Sequence, residues 1–237
     1  MTHYFYTRIA LDTAAINKTL PVRTAAQHEA ACRMWLRHSR KFYENQTIDR
    51  PFRVVLGYSD KWKSILDSFD WPDYVTFTTG DICDWLRENV SVCKPTTVSR
   101  VDADDSYSLD LFEMLDTVMP PKSERTMMLY HWVKQYDMVN GRVGKPIRHL
   151  CPQFATVYFP QFPVTNPRQT ARHIPGNPFY GVVGNHGRYI DQPYIEPNGC
   201  YALLRLAGQN AINRWGTIGH GIEKPVIDTS ADPRFIL

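Results

Sequence analysis

The sequence predicts an α/β fold in which an open mixed sheet carries helices on both faces. Through residue 118 of the 237-residue chain, β-rich runs alternate with helical runs, which is typical of parallel strands joined by crossover helices. After residue 118, prolines and turn-forming residues separate shorter β-rich runs, so this half is predicted to be loop-rich. No linker divides the chain, and we expect one compact domain built from the halves 1–118 and 119–237.

The first half contains runs rich in aromatic or β-branched residues, which are predicted as strands at 4–10, 52–58, 74–78 and 96–101. Apolar residues at helical spacing predict helices at 24–43, 61–69, 81–90 and 109–118. Ligands of such sheets bind beyond the carboxyl ends of the strands. An acidic run follows the strand at 96–101, so it lies where a ligand is expected.

The second half is predicted to be mostly β. The runs 125–133 and 134–143 are β-rich, and Asn140-Gly141 favours a hairpin with a type I′ turn. A compact apolar run at 154–159 predicts one further strand. The spacing of apolar residues predicts a final helix over 203–215, and the chain after it is predicted to be irregular.

The composition is that of an ordinary soluble globular protein, with 43% hydrophobic and 22% charged residues. A net charge of +3 is far from the concentrated basic charge of a dedicated nucleic-acid binder. No run approaches the about 20 apolar residues of a membrane span, and the N-terminus lacks the apolar core of a secretory signal. The five cysteines are scattered without a CxxC pair, so we expect reduced thiols and a cytoplasmic location.

The most informative run is 100–106, with the sequence RVDADDS. Its three carboxylates fall within four positions and repel one another, so folding them together costs free energy unless a cation offsets the charge. Mg2+ or Mn2+ is the usual offset, because hard cations take oxygen ligands. A metal that also held a diphosphate would make this run a site for sugar-nucleotide chemistry.

The order of these features resembles the GT-A class of glycosyltransferases, in which a Rossmann-like nucleotide-binding half ends in a DxD motif and precedes an acceptor half. More narrowly, 6–8 (YTR) and 99–105 (SRVDADD) resemble the rhamnosyltransferase-like group, which has a TRF start and an R-[LV]-D-x-D-D core. Ile9 stands where that group has an aromatic residue. Further similar runs follow in the same order at 136–137, 154–156, 185–186 and 210–213.

The resemblance implies a metal-dependent glycosyltransferase that uses Mn2+ or Mg2+. Its partners would be a nucleoside diphosphate-sugar donor and a hydroxyl acceptor on a glycan, a lipid-linked sugar, a protein or modified DNA. The implied metal ligands are Asp104, Asp105 and His186, with His173 as the second choice of histidine. The implied nucleotide contacts are Thr7, Arg8, Arg100 and Asp102. The candidates for the base that deprotonates the acceptor hydroxyl are Asp137, Asp191 and Glu196.

Other interpretations of the acidic run stay open. Its aspartates and Ser106 are favoured N-cap residues for the helix that follows. Residues 102–113 also match the ligand spacing of an EF-hand loop, but Tyr107 stands where the sharp turn needs glycine. At the level of function, the alternatives are a catalytically silent GT-A-like binding module and a metal-dependent phosphodiesterase or nuclease.

Overall fold

A computed structural model describes most of the chain, in the ranges 1–10, 22–79, 82–90, 95–118, 126–148, 154–160, 194–206, 217–218, 221–222, 226–230 and 232–237. Within these ranges, no helix is both long enough and apolar enough to cross a membrane. His173, His186 and Asp191, which the sequence nominates as site residues, lie outside them.

The strands, in chain order, are β1 (Thr2–Ala10), β2 (Phe52–Tyr58), β3 (Val75–Thr78), β4 (Thr96–Arg100), β5 (Ser106–Tyr107), β6 (Thr126–Leu129), β7 (Trp132–Asp137), β8 (Arg142–Val143), β9 (Ile147–Arg148), β10 (Ala155–Phe159), β11 (Ala202–Leu206), β12 (Thr217–Ile218) and β13 (Gly221–Ile222). The helices are α1 (Ala25–Met34), α2 (Arg40–Glu44), α3 (Lys63–Leu66), α4 (Ile82–Asn89) and α5 (Leu111–Val118). A π-helical segment, Trp35–Ser39, joins α1 to α2, and a 3-10 turn, Asp60–Trp62, precedes α3.

The main sheet confirms the predicted α/β fold with an open mixed sheet. Over the described residues its strand order is β3-β2-β1-β4-β10-β6. Strands β1 to β4 are parallel, whereas β10 runs antiparallel to both β4 and β6. Every strand and helix predicted for the first half has a counterpart in the structure. The local hydrophobic pattern therefore determines this half of the fold.

Helices cover both faces of the main sheet because successive side chains of a strand point to opposite faces. Phe5 of β1 packs in one core with residues of α1, α2 and α5. The next residue, Tyr6, packs in a second core with Leu86 of α4. Gly57 of β2 allows this packing, since a Cβ atom at that position would lie 2.9 Å from the Tyr6 hydroxyl.

A second sheet has the strand order β5-β11-β7-β8, and β9 also pairs with β7. The chain passes from β4 of the main sheet to β5 of the second sheet through residues 101–105 only. The acidic run predicted to be functional is thus the connection between the two sheets. We call residues 101–105 the acidic loop.

The predicted helix over 203–215 is wrong where the structure can test it. Residues Ala202–Leu206 form β11, which is buried along its whole length and lies between β5 and β7. A short buried strand and a buried helical segment share the same apolar composition, so periodicity alone does not separate them. The unpaired backbone groups of β5 and β7 are what require a strand here. Residues 207–216 lie outside the described ranges.

The predicted hairpin around Asn140-Gly141 is confirmed, with a longer connection than a type I′ turn. Asp137 pairs with Arg142, so the connection spans 138–141. Gly141 has a φ of 64°, in the left-handed region that favours glycine. The turn thus depends on the residue that the sequence pattern identified.

The C-terminal segment, described at 226–230 and 232–237, lies against the second sheet although it adds no strand to it. The buried Lys134 ammonium of β7 contacts Asp228 at 3.0 Å and Asp232 at 3.1 Å. Lys145 N–H donates to the Val226 carbonyl, and Asp228 N–H donates to the Val143 carbonyl. Phe235 packs against Cys200 and Leu203. Ion pairs, backbone hydrogen bonds and apolar packing all fix this segment.

We expect Lys134→Met to lower the free energy of unfolding by about 3 kcal/mol, because it leaves Asp228 without its lysine partner and Asp232 with Arg234 alone. Urea unfolding at pH 7 measures this change. Lys145→Met is the matched control, since this lysine side chain is exposed. Equal stability losses in the two variants would contradict a structural role for the Lys134 ion pairs.

Candidate functional site

The acidic loop lies at the point where the connections of the main sheet change direction. From the central strand β1 the chain proceeds to β2 on one side, while β4 lies on the other side. The carboxyl ends of β1 and β4 therefore border the crevice where ligands of open α/β sheets bind. Thr7 and Arg8 lie near the end of β1, and the acidic loop follows the end of β4. The structure thus brings the predicted nucleotide contacts to one sheet edge.

Arg8 and Arg100 both approach the Asp102 carboxylate. Tyr6 pairs with Arg100 across β1 and β4, so continuing this parallel register places Arg8 level with Asp102, the second residue after β4. Arg8 Nη2 is 3.5 Å from Asp102 Oδ1, and Arg100 Nη2 is 3.8 Å from the same atom. Arg100 is buried, whereas the side chains of Arg8 and Asp102 are about 30% exposed. The Arg8 ion pair is therefore open to an incoming ligand.

Thr7 has a different environment from Arg8. It is fully buried, and its Oγ1 lies 3.5 Å from the hydroxyl of Tyr43 on α2. Thr7 therefore packs α2 against β1 beneath the site. Its predicted contact with nucleotide stays a prediction.

Hydrogen bonds from the main sheet, from the second sheet and from the π-helical segment fix the acidic loop and the strand end before it. Val101 N–H donates to the Tyr6 carbonyl, and the Tyr107 hydroxyl donates to the Arg100 carbonyl. The Ser39 hydroxyl reaches the carbonyls of Ala103 at 2.9 Å and Asp105 at 3.2 Å. Ser39 is the last residue of the π-helical segment, and such segments are frequent at functional sites. The irregular helical turn therefore places a donor on the loop.

Arg205 is the residue of this site that the sequence analysis missed. Its backbone N–H donates to Asp105 Oδ1 at 3.1 Å, and Nη1 lies 3.5 Å from the Asp104 carbonyl oxygen. Nη2 donates to the Ile236 carbonyl at 2.7 Å. Arg205 lies in the run that was predicted as a helix, where no local pattern marks it. Only the pairing of β11 with β5 brings it to the loop.

The carboxyl groups of the loop are electrostatically strained. Burial, reinforced by the Asp102 carboxylate, raises the pKa of Asp104 from 3.8 to about 6, although Arg23 and Arg205 oppose the rise. Burial and the neighbouring carboxylates of Asp104 and Asp102 raise the pKa of Asp105 well above its ordinary value. The hydrogen bond from Arg205 N–H acts in the opposite direction. A cation bound beside these carboxylates would therefore stabilise the loop.

The predicted metal site of the acidic loop stays a prediction. Asp102 and Asp104 are only partly buried, while Asp105 is buried and uses Oδ1 to accept from Arg205. Among the residues that the structure describes, no group of three or more His, Cys, Asp or Glu side chains is arranged to hold a metal ion. Mg2+ is commonly held by one or two carboxylates, with substrate phosphates and waters completing the shell. A site of that kind would need ligands beyond the described carboxylates.

Asp137, one of the predicted bases, is engaged in the β7–β8 turn. Oδ1 accepts from the backbone N–H groups of Val139 and Asn140, and Oδ2 accepts from Asn140 Nδ2 and Arg142 Nε. Burial alone would raise the pKa of Asp137, but the hydrogen bonds from Asn140 and Arg142 lower it. A lowered pKa opposes proton abstraction at neutral pH. These contacts explain Asp137 as a turn residue, and its role as base stays a prediction.

Glu196 lies away from the acidic loop. It pairs with Arg148 at 3.0 Å, and its neighbour Ile195 bridges to Met128 of β6. Strands β10 and β6 separate this position from β4. The structure therefore does not bring Glu196 to the acidic loop.

No protein-family model matches the sequence. No curated protein matches it in sequence either. Among solved structures, the chain is similar to the inositol-1-phosphate CTP transferase from T. maritima, with 9% identity and a TM-score of 0.32 over 85% of this chain and 84% of that chain. Similarity at this level supports no inference about function. Fold and site together define an α/β protein with carboxylates and arginines at the switch point of an open sheet.

The raised pKa of Asp104 predicts how stability depends on pH in metal-free buffer. An aspartate with an unfolded pKa near 3.9 and a folded pKa of about 6 binds more protons when folded between these values. The free energy of unfolding therefore falls as the pH rises through this window, and the loss persists at pH 7. We expect Asp104→Asn to remove much of this loss and to raise stability at pH 7 by about 2 kcal/mol.

Thermal unfolding from pH 4 to pH 8 with EDTA measures this effect. Asp70→Asn is the matched control, because Asp70 is exposed and lies between α3 and β3, away from the loop. If thermal stability varied with pH in the same way in the wild type and in Asp104→Asn, the pKa of Asp104 would not be raised on folding.

Proposed function

We propose that the protein is a metal-dependent glycosyltransferase that moves a sugar from a nucleoside diphosphate-sugar donor to a hydroxyl acceptor. The supporting observation is the position of the acidic loop, which places partly buried carboxylates at the carboxyl end of β4 beside β1. Nucleotide ligands of open α/β sheets bind at this edge. The resemblance of the RVDADD run to the GT-A pattern gives the class of reaction.

In this proposal the donor diphosphate binds between the acidic loop and the end of β1. Asp104 would hold Mn2+ or Mg2+ together with Asp102, which the sequence resemblance had placed at the nucleotide. The bound cation would supply positive charge beside the leaving nucleoside diphosphate. Arg8 exchanges its contact with Asp102 for a phosphate oxygen, since guanidinium groups bind phosphate in a forked geometry. The buried guanidinium of Arg100, 3.8 Å from Asp102 Oδ1, keeps the Asp102 carboxylate in position. Asp105, which accepts from Arg205, supports the loop in this scheme, and its predicted role as direct ligand remains to be tested.

Donor binding is expected to require the metal and the nucleotide together, because the described carboxylates complete only part of a coordination shell. In a thermal-shift panel of nucleoside diphosphates with Mn2+ or EDTA, we expect one base to stabilise the protein only when Mn2+ is present. Ligand at a hundredfold excess over Kd stabilises by ~2.7 kcal/mol. Asp104→Asn should lose this shift, while Asp70→Asn should keep it. A nucleotide shift that survives both EDTA and Asp104→Asn would refute Asp104 as a ligand.

The base for the acceptor hydroxyl is assigned by comparing three variants. We expect Asp191→Asn to lower kcat by at least about a hundredfold, the usual contribution of general base catalysis, with donor affinity retained. Asp137→Asn should mainly lower thermal stability, because that carboxylate orders a turn. Glu196→Gln should change neither kcat nor donor affinity by much. The measurement is release of nucleoside diphosphate from the donor that the panel identifies. A kcat loss confined to Asp137→Asn, with unchanged thermal stability, would reassign the base.

A catalytically silent binding module is the second candidate function. It is favoured by the engagement of Asp137 with Arg142 and of Glu196 with Arg148. Metal-dependent nucleotide binding without turnover of any nucleoside diphosphate-sugar would support it. Cleavage of a nucleic acid or a phosphodiester would instead support the phosphodiesterase alternative.

A further inference from the structure

We propose that Arg205 is a positioning residue, which fixes the acidic loop between the two sheets and is itself held by the C-terminal segment. The assignment deepens the proposed function and rests on it for the identity of the ligand. The contacts of Arg205 with the loop and with the C-terminal segment are present without any ligand, so the positioning role can be tested separately.

Arg205 reaches consecutive residues of the acidic loop with its main chain and its side chain. Leu203 pairs with Ser106 in the antiparallel β5–β11 ladder, and continuing this register brings Arg205 opposite Asp104. The backbone N–H of Arg205 then donates to Asp105 Oδ1, and its guanidinium reaches the Asp104 carbonyl. A short ladder of regular pairs is thus extended by side-chain contacts into the loop. Rotation of the loop away from β11 would break both contacts at once.

The C-terminal segment fixes the other side of the guanidinium. Arg205 Nη2 donates to the Ile236 carbonyl at 2.7 Å, and Leu109 N–H donates to the Arg234 carbonyl at 2.8 Å. Between these contacts, Phe235 is packed against Cys200 and Leu203. Arg205 therefore bridges a carbonyl of the loop and a carbonyl of the segment.

Charge explains why an arginine is needed at this position. Arg205 has no exposed surface, and a buried guanidinium is tolerated only when it is hydrogen-bonded and compensated by nearby negative charge. Asp104 and Asp105 supply that negative charge. The buried arginine in turn offsets part of the carboxylate charge of Asp104 and Asp105. Methionine would fill a similar volume without the charge or the donors.

Hydrogen–deuterium exchange of the 101–107 backbone amides tests the positioning role without any ligand. We expect Arg205→Met to speed exchange of this segment by at least about tenfold, and Arg205→Lys to restore part of the protection. Phe235→Ala should produce a smaller increase, because it loosens the segment that holds the guanidinium. Leu86→Ala is the control, since this buried residue lies in the core on the opposite face of the main sheet.

Exchange in Arg205→Met no faster than in Leu86→Ala, at matched thermal stability, would overturn the positioning role. Where Arg205→Met fails to fold by circular dichroism, the comparison of Arg205→Lys with Leu86→Ala decides in the same way. Unchanged exchange in Phe235→Ala would overturn the contribution of the C-terminal segment.

Mn2+ titration followed by electron paramagnetic resonance, with the nucleoside diphosphate that stabilises the wild type, tests the link to the site. We expect Arg205→Met to weaken Mn2+ binding by about tenfold, and Leu86→Ala to leave it unchanged. Wild-type Mn2+ affinity in an Arg205→Met variant with a loosened loop would overturn the link between Arg205 and the ligand. A wild-type protein that binds no Mn2+ with any nucleotide would refute the proposed function, while the exchange data would still decide the role of Arg205.

Discussion

The connection between β4 and β5 is the constraint on which the rest of the site depends. Five residues carry the chain from one sheet to the other, and three of them are aspartates. Because the connection is short, its carboxylates are confined to the junction of the sheets and cannot separate from one another. Ser39 binds the loop from the helical layer, and Arg205 binds it from the second sheet. These contacts hold the carboxylate-bearing loop beside the end of β1.

The charges of the junction fall into an inner and an outer set. Inside, Arg205 and Asp105 are both buried, and the Arg205 backbone N–H donates to the Asp105 carboxylate, so the fold sets their positions. Outside, Arg8 meets Asp102 at 3.5 Å with both side chains partly exposed. Solvent and salt weaken an exposed ion pair, and ligands can replace it at little cost. The inner set thus provides a fixed framework, and the outer set provides groups that exchange partners.

The local sequence pattern was sufficient to predict the strands and helices of the first half of the chain. It also located the acidic loop, because strand ends and carboxylate density are both local features. It failed at β11, where the run ALLRL is apolar at nearly every position and its strand character comes from pairing with β5 and β7. Arg205 was missed for the same reason, since its contact with Asp105 spans 100 residues of sequence. The engagement of Asp137 is local, since Val139, Asn140 and Arg142 all lie within five residues of it, but the residue pattern alone does not show which groups a turn carboxylate binds.

The two halves of the chain do not correspond to separate tasks at this site. The loop that would hold the donor belongs to the first half, yet Arg205 and the C-terminal segment that fix it belong to the second. Leu109, at the start of α5, also donates to the Arg234 carbonyl, so the connection after the acidic loop is tied to the same segment. A movement in the second half would therefore reach the carboxylates through rigid hydrogen-bonded contacts. Under the proposed function, the half predicted to bind the acceptor would therefore also hold the loop that binds the donor.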